Sequence, residues 1–308
     1  MEEKIYPLAI LGSGMAGLTA SIYASRYRIK HILIGETIGG NAIEAITIEN
    51  YPGFKKIKGQ ELINNIKEQV LEYEPDWEEA RIETIENKGK YFSIKTNSGK
   101  VYKAKYLILA LGTKRKELGV PGEKEFQAKG IHHCPTCDGY FYKDKIVAII
   151  GAGDSGATAA FYLADLVKKI YIIDIVSELR AMPFWQEKLS QRKNIEFRLG
   201  YHIKEFKGKD RLEEINLESL DGKKENLKID GVFVAVGGLL NTDIAHKLGL
   251  KLDSKGYIET KSTMQTSDPH IFAAGDLTTG SNHFHQMITA ASEGAIAANA
   301  IYQEVQKK

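Results

Sequence analysis

Two glycine-rich hexapeptides limit what this chain can fold into: Gly12-Ser13-Gly14-Met15-Ala16-Gly17 near its start and Gly151-Ala152-Gly153-Asp154-Ser155-Gly156 near its middle. Each follows a short apolar run, Tyr6 to Leu11 and Ile146 to Ile150, and each leads into a stretch of helical spacing, to about Arg26 and about Val167. Strand, glycine turn and helix in that order suit a dinucleotide. The first glycine permits the tight turn, the second lets backbone approach a pyrophosphate, and the third lets helix pack on strand, with the helix N-terminus facing the phosphates. One such fingerprint is weak, but two in the same context read as an internal repeat and predict an α/β chain with two Rossmann-like dinucleotide-binding domains. The following strands, His31 to Ile34 and Lys169 to Ile173, run into Gly35-Glu36 and Asp174. Those are positions from which a carboxylate takes ribose hydroxyls; for Glu36 a solvated loop acid is the alternative.

Length agrees with two domains, since 308 residues exceed what one ordinary core fills. With 43% apolar and 27% charged residues and a formal charge of +2, the chain reads as soluble and globular, with nothing that asks for nucleic acid. No apolar run nears the roughly 18 residues that span a bilayer. The start, Met1-Glu2-Glu3-Lys4, lacks the features of a secretory signal, so a cytoplasmic location without membrane attachment is expected.

The only two cysteines lie in His132-His133-Cys134-Pro135-Thr136-Cys137-Asp138-Gly139. A Cys-x-x-Cys pair beside a strand-helix-strand pattern reads as a redox dithiol, because the turn holds the sulfurs close and lowers one thiol pKa. In a reducing compartment such a pair is catalytic sooner than structural. Two alternatives stand beside it: a zinc pair helped by His132 or His133, which lacks a full tetrahedral set, and two inert core thiols.

Between these landmarks, Gly39-Gly40-Asn41 and Glu49-Asn50-Tyr51-Pro52-Gly53-Phe54 let backbone turn sharply or approach a ligand. Leu62, Ile63, Ile66 and Val70 predict a structural helix from Gly59 to Tyr73. Ile82 to Ile85, Tyr91 to Thr96 and Val101 to Ala110 predict a β-meander that ends at Gly112-Thr113. Lys114-Arg115-Lys116 and Val120-Pro121-Gly122-Glu123 read as a linker, the basic run either solvated or a dock for an acidic partner. Past the second fingerprint, strands are expected at Ile195 to Leu199, Arg211 to Leu220 and Val232 to Val236, with Asp221-Gly222 as a hairpin turn. The tail carries Ile271-Phe272-Ala273-Ala274-Gly275-Asp276 and a helix from about His285 to Tyr302, whose small residues predict close packing on another element. Asp276 offers an acceptor to a ribityl hydroxyl, or else only caps a surface turn.

Taken together, the two fingerprints, Gly39-Gly40-Asn41, Glu49-Asn50-Tyr51-Pro52-Gly53, Cys134-Pro135-Thr136-Cys137-Asp138-Gly139 and Ala273-Ala274-Gly275-Asp276 give the chain a resemblance to the low-molecular-weight thioredoxin reductases over nearly its whole length. The resemblance implies a discontinuous FAD-binding domain, residues 1–117 and 242–308, interrupted by a nicotinamide-type domain, residues 118–241, that carries the cysteines. It implies FAD contacts at Gly12, Ser13, Gly14, Met15, Ala16, Gly17, Gly35, Glu36, Gly39, Gly40, Asn41, Asn50, Ile82, Gly112, Gly275, Asp276, His285, Gln286 and Met287. A nicotinamide dinucleotide, if used, would meet Gly151, Gly153, Asp154, Ser155, Gly156, Asp174 and Arg180. Cys134 and Cys137 would form the redox disulfide, Cys137 nearer the flavin, and Asp138 would move protons on and off the departing thiol, unless it merely forms a turn before Gly139. A homodimer, a rotation between domains and a thioredoxin- or glutaredoxin-like protein substrate are implied as well.

The sequence also departs from the family. Members that use NADPH present a His-Arg-Arg cluster where this chain has Asp174, Ile175 and Val176, and only the later Arg180 remains. A 2′-phosphate carries nearly two negative charges. Asp174 repels it, so NADPH is expected to be a poor donor, with NADH the natural substitute. Reduced ferredoxin or deazaflavin is the third option; a ferredoxin near about −400 mV and a thioredoxin near about −270 mV leave roughly 6 kcal/mol for two electrons. In His283-Phe284-His285-Gln286, His285 replaces the family's arginine; His283 and His285 as metal ligands lack further partners, and no metal site is expected. The same residues would serve a dithiol oxidase running in reverse, and a flavin-bound redox sensor without turnover is the reading from another class.

Overall fold

The computed structural model describes residues 4–45 and 47–306, apart from the Arg115 side chain. The expectations placed on Met1, Glu2, Glu3 and the head of Arg115 lie outside the described residues. In chain order the first stretch runs β1 (Ile5–Leu11), α1 (Met15–Arg26), β2 (His31–Ile34), α2 (Gly59–Leu71), β3 (Asp76–Glu78), β4 (Ile82–Asn87), β5 (Phe92–Thr96), β6 (Val101–Leu109) and β7 (Thr113–Arg115). The middle adds β8 (Ile131–His132), α3 (Pro135–Asp138), β9 (Ile146–Ile150), α4 (Asp154–Leu163), β10 (Lys169–Asp174), α5 (Pro183–Ser190), β11 (Ile195–Leu199), β12 (Tyr201–Gly208), β13 (Leu212–Ser219), β14 (Lys224–Lys228), β15 (Gly231–Val234) and β16 (Gly238–Leu240). The last stretch holds α6 (Asp243–Lys247), β17 (Ile271–Ala273) and α7 (Met287–Gln306).

Two compact units result, one of residues 1–114 with 239–308 and one of residues 115–238. In the first, β3-β2-β1-β6 is a parallel sheet, extended by the antiparallel β5 and β4 along the first half of β6 and by β17 along its second half. Alternation along β1 divides the core. Leu8 and Ile10 pack with residues of α1, α2 and α7, while Ala9 and Leu11 pack with the meander and with Ala245 and Leu250. Each fully buried leucine or isoleucine here contributes about 2 kcal/mol of transfer free energy. The small residues of α7 serve the close packing they predict: a Cβ on Gly294 would meet the Ala16 carbonyl oxygen of α1.

The second unit repeats the plan, with parallel order β11-β10-β9-β15-β8. Val147 and Ile149 of β9 face α4 and α5, whereas Ala148 and Ile150 face a three-stranded antiparallel sheet, β12-β13-β14. Its turn at Asp221-Gly222 is the expected hairpin, with Gly222 at φ 84°. The strands β12 and β14 and the helix α5 do not emerge from sequence reading. Charged residues on their exposed sides and the single turn of spacing in α5 blur the periodicity, and only packing against Ala148, Ile150 and α4 decides them. Four helices also differ in extent: α1 already starts at Met15, inside the fingerprint, and α2 ends at Leu71, two residues before Tyr73. The run after the second fingerprint ends at Leu163, four residues before Val167, and α7 starts at Met287 because residues 281–283 take left-handed backbone before it.

Candidate functional site

Three arrangements carry chemistry, two of them near copies. At both fingerprints the first glycine, Gly12 or Gly151, has φ +115°, and a Cβ there would strike the carbonyl oxygen of Ala110 or Ala235. The third glycine is equally constrained, since a Cβ on Gly17 or Gly156 would strike the Gly12 or Gly151 carbonyl. The second glycine is open: nothing lies within 4 Å of a Cβ on Gly153, and the nearest atom to one on Gly14 is the Gly39 carbonyl oxygen at 4.0 Å. Backbone amides at the start of α1 and α4 are therefore approachable from outside, which suits a pyrophosphate at a helix N-terminus. The second turn carries Asp154 and Ser155 at the head of α4; the Asp154 carboxylate accepts the Met182 N–H at 2.7 Å.

Around the first turn, the Gly39 N–H donates to the Ser13 carbonyl at 2.7 Å, and Ser13, itself buried, donates its hydroxyl to the Thr37 carbonyl. Gly40 continues the loop with φ 52°. Met15 and Ala16 are buried at the start of α1, and Gly275 of the C-terminal segment lies against Ala16. Asp276 follows it. Burial pushes its carboxyl up, with His285 pulling the other way, and it takes no hydrogen bond from any described residue. An acceptor left in that condition fits a hydroxyl-bearing ligand. Glu36, just past Gly35 at the end of β2, is exposed and takes no hydrogen bond from any described residue. Asn41 donates to the Thr113 hydroxyl, and Asn50 to the Gln286 side-chain oxygen at 3.0 Å. His285 stacks on Tyr257 with ring centroids 5.0 Å apart and meets the Thr278 carbonyl, and Met287 opens α7. Gly112 turns the chain after β6 with φ 58°. Ile82 packs into the meander side of the core rather than into the turn.

Sequence reading passes over Glu293. It is buried in α7 and accepts hydrogen bonds from the Gly275 N–H at 2.7 Å, the Thr278 hydroxyl at 3.2 Å and the Ser281 hydroxyl at 2.7 Å. It thereby ties the Gly275-Asp276 turn to Ser281, Asn282 and His283, which stand in succession at φ 50°, 53° and 58°. Such backbone persists only where the surroundings over-determine it. A lone acid in a run of Ala and Gly is the signal that marks Glu293.

At the second turn the acid stands differently. Asp174 is buried; its carboxylate accepts the Ala152 N–H at 2.8 Å, the Val176 N–H at 3.2 Å and the Arg180 guanidinium at 2.9 Å. Burial alone would raise its pKa, but these donors outweigh it and hold the carboxyl below the usual range. Arg180 is thus bound to Asp174. Ile175 beside it is exposed.

The third arrangement is the cysteine pair. Cys134 and Cys137 are joined as a disulfide, with Cα atoms 5.3 Å apart, at the head of the single-turn α3. Pro135 begins that turn, and the Cys137 N–H points at the Cys134 sulfur at 3.3 Å. Asp138 closes it, its carboxylate 3.0 Å from His132 Nδ1. Among the described residues no group of three or more His, Cys, Asp and Glu side chains could hold a metal ion, and no helix is long and apolar enough to cross a membrane.

Residues 6–294 match the pyridine nucleotide-disulphide oxidoreductases. The thioredoxin reductase of Bacillus subtilis is 34% identical over 99% of this chain and 96% of its own length. Among solved structures, thioredoxin reductase from Lactococcus lactis superposes with a TM-score of 0.93 at 31% identity, covering 98% of this chain and 100% of that one. Thioredoxin reductase from T. acidophilum gives 0.92 at 34% identity, covering 99% and 100%. The chain belongs to the pyridine nucleotide-disulphide oxidoreductase family. Within it the chain is of the low-molecular-weight thioredoxin reductase kind, an FAD-dependent oxidoreductase with two dinucleotide-binding folds.

Proposed function

We propose that this enzyme passes electrons through bound FAD and the Cys134–Cys137 pair to a disulfide of a thioredoxin- or glutaredoxin-like protein. The observation that carries the reading is the disulfide at the head of α3 with Asp138 directly behind it. FAD would be held by residues 1–114 with 239–308: its pyrophosphate by the Gly12–Gly17 turn, a ribose by Glu36, and a ribityl hydroxyl by Asp276. Gly35, Gly39, Gly40, Asn41, Asn50, Ile82, Gly112, His285, Gln286 and Met287 complete that proposed set. When bound, the flavin supplies the two electrons that open the disulfide. Asp138 holds the proton that the departing sulfur takes. By the same resemblance the enzyme is read as a cytoplasmic homodimer.

For the donor we propose that NADPH serves poorly. Asp174 places a carboxylate where a 2′-phosphate needs cations, and Arg180 is already paired with it. NADH needs Arg180 to give up that pairing to ribose hydroxyls, a modest cost for a side chain 60% exposed. Gly151, Gly153, Asp154, Ser155 and Gly156 would complete that site. Reduced ferredoxin or deazaflavin needs none of it. Anaerobic mixing with each of the four donors, followed by flavin bleaching, separates these routes: slow bleaching by NADPH is expected, and rapid bleaching overturns the donor reading. Replacing either cysteine by serine should leave flavin reduction intact and abolish thioredoxin reduction; activity in both variants would refute the dithiol route.

A further inference from the structure

Behind Asp138 stands a side-chain chain that the reaction above does not use. His132 lies on β8, in register with Phe233 of β15. Its ring packs against Phe233 at 5.7 Å and edge-on against Tyr142 at 5.3 Å, leaving the side chain 12% exposed. Both ring nitrogens are engaged, Nδ1 with the Asp138 carboxylate at 3.0 Å and Nε2 with the Tyr142 hydroxyl at 2.7 Å. A carboxylate only accepts, so Nδ1 bears the hydrogen; Nε2 of the neutral ring then accepts, and Tyr142 donates. Burial, and next the Asp138 charge, push the Tyr142 phenol up, so it stays a neutral donor. Tyr142 is seated by Gly231, where a Cβ would collide with its ring. Three separate segments thus converge to hold one imidazole in one tautomer against the residue next to Cys137. A histidine that merely filled space between aromatic rings would not need that alignment.

Resting on the disulfide-reductase reading above, we propose that His132 is a positioning residue for the proton step at the cysteine pair, orienting Asp138 through Nδ1–H. In the step concerned, one cysteine sulfur attacks the partner's disulfide, forming a mixed disulfide and releasing one partner sulfur. The second cysteine then attacks the mixed bond, restoring Cys134–Cys137 and releasing the other. Two electrons and two thiol protons pass to the partner, which ends as a dithiol. Asp138 takes a proton from the attacking thiol and returns it to a leaving sulfur, and His132 keeps the carboxylate aimed throughout. The groups facing His132 are Asp138 and Tyr142; Lys145, Arg211 and Asp230 stand farther out around Tyr142.

The test uses full-length protein reduced with dithiothreitol, desalted without oxygen and mixed with 5,5′-dithiobis(2-nitrobenzoate) across a pH series, with rates read by stopped flow. His132→Ala should slow the reaction about tenfold near neutrality through loss of aim. His132→Asn, whose amide N–H can replace Nδ1–H, should recover to within about threefold of the parent rate. Its pH profile should nevertheless depart from the parent's, because the imidazole is gone, and Tyr142→Phe, which leaves Nε2 without its donor, should change the profile as well. A folded His132→Ala protein with parental rate and profile overturns the proposal, as does an unchanged profile in His132→Asn. If the alanine variant does not fold, the asparagine and Tyr142→Phe profiles decide. A parent dithiol that fails to react at all instead overturns the disulfide-reductase reading, and this proposal with it.

Discussion

The two glycine turns are the same object in backbone and different objects in charge. Gly12 and Gly151 share φ +115°, Gly17 and Gly156 meet the same carbonyl one turn back, and Gly14 and Gly153 both face open space. At the end of the next strand the first unit offers Glu36, exposed and without a hydrogen bond from any described residue, while the second offers Asp174, buried under three donors. Identical turns therefore do not imply identical ligands. A free carboxylate can take up ribose hydroxyls at little cost, whereas one that already holds its own loop must first give up a partner. The difference between the two units lies in side chains beyond the turn.

The largest effects should come from breaking the turns themselves. Gly12→Ala and Gly151→Ala each force a Cβ into a backbone carbonyl in a conformation that L residues avoid, and each should cost about 3 kcal/mol or more by thermal unfolding. Only Gly12→Ala should also abolish flavin binding, measured by the visible absorbance of the purified protein; equal flavin loss in both would erase the contrast. Next in size is the acid pair. Asp174→Asn strips a charged acceptor from buried N–H groups and should cost about 2 kcal/mol, while Glu36→Gln should move stability by less than about 0.5 kcal/mol yet weaken flavin retention.

The units should also differ in acid. His31 of the first is buried, its Nδ1 on the Ile29 carbonyl and its Nε2 on the Ser21 hydroxyl. Burial pushes its pKa down, against smaller upward pulls from Ile29 and Asp76. Its stabilising contribution is complete above the unfolded value, about 6.5, and is lost as pH falls toward the lower folded one. Asp174 has a depressed folded pKa as well, but its contribution is lost only below about pH 4. Urea unfolding across pH, followed by hydrogen exchange in each unit, should show the first unit weakening at the higher pH. The smallest effect concerns Asp276, whose raised pKa means that ionisation near neutrality opposes folding while no ligand is bound. Asp276→Asn should stabilise the flavin-free protein by about 1 kcal/mol and weaken flavin affinity, both readable by thermal unfolding with and without FAD.

Much of this was legible from residues alone. β2, β9 and β11 have the extents expected of them, and α1 ends at its expected Arg26, because strand period and glycine punctuation are local signals. Less legible were β12, β14 and α5, whose hydrophobic sides matter only against a sheet formed elsewhere. The same holds for the sites. Cys134 and Cys137 announce themselves by spacing and Asp138 by the family resemblance, but Glu293 and Tyr142 carry no motif. Glu293 lies 18 residues from Gly275 and Tyr142 lies 10 from His132, distances closed only by the fold.

What the sequence determined by itself was the plan: two strand-turn-helix units, one dithiol, and an acid, Asp174, rather than a cationic cluster at the end of the second unit's second strand. These follow from short-range stereochemistry and from counting charges. The tertiary structure alone decided which carboxylates remain free. Glu36 is exposed, Asp276 feels His285 but takes no hydrogen bond from any described residue, Asp174 is held by Ala152, Val176 and Arg180, and Asp138 leans on His132. The physical reason is that a hydrogen bond depends on where a donor ends up, and donors such as Ala152 and His132 reach these acids only after separate strands have been laid side by side.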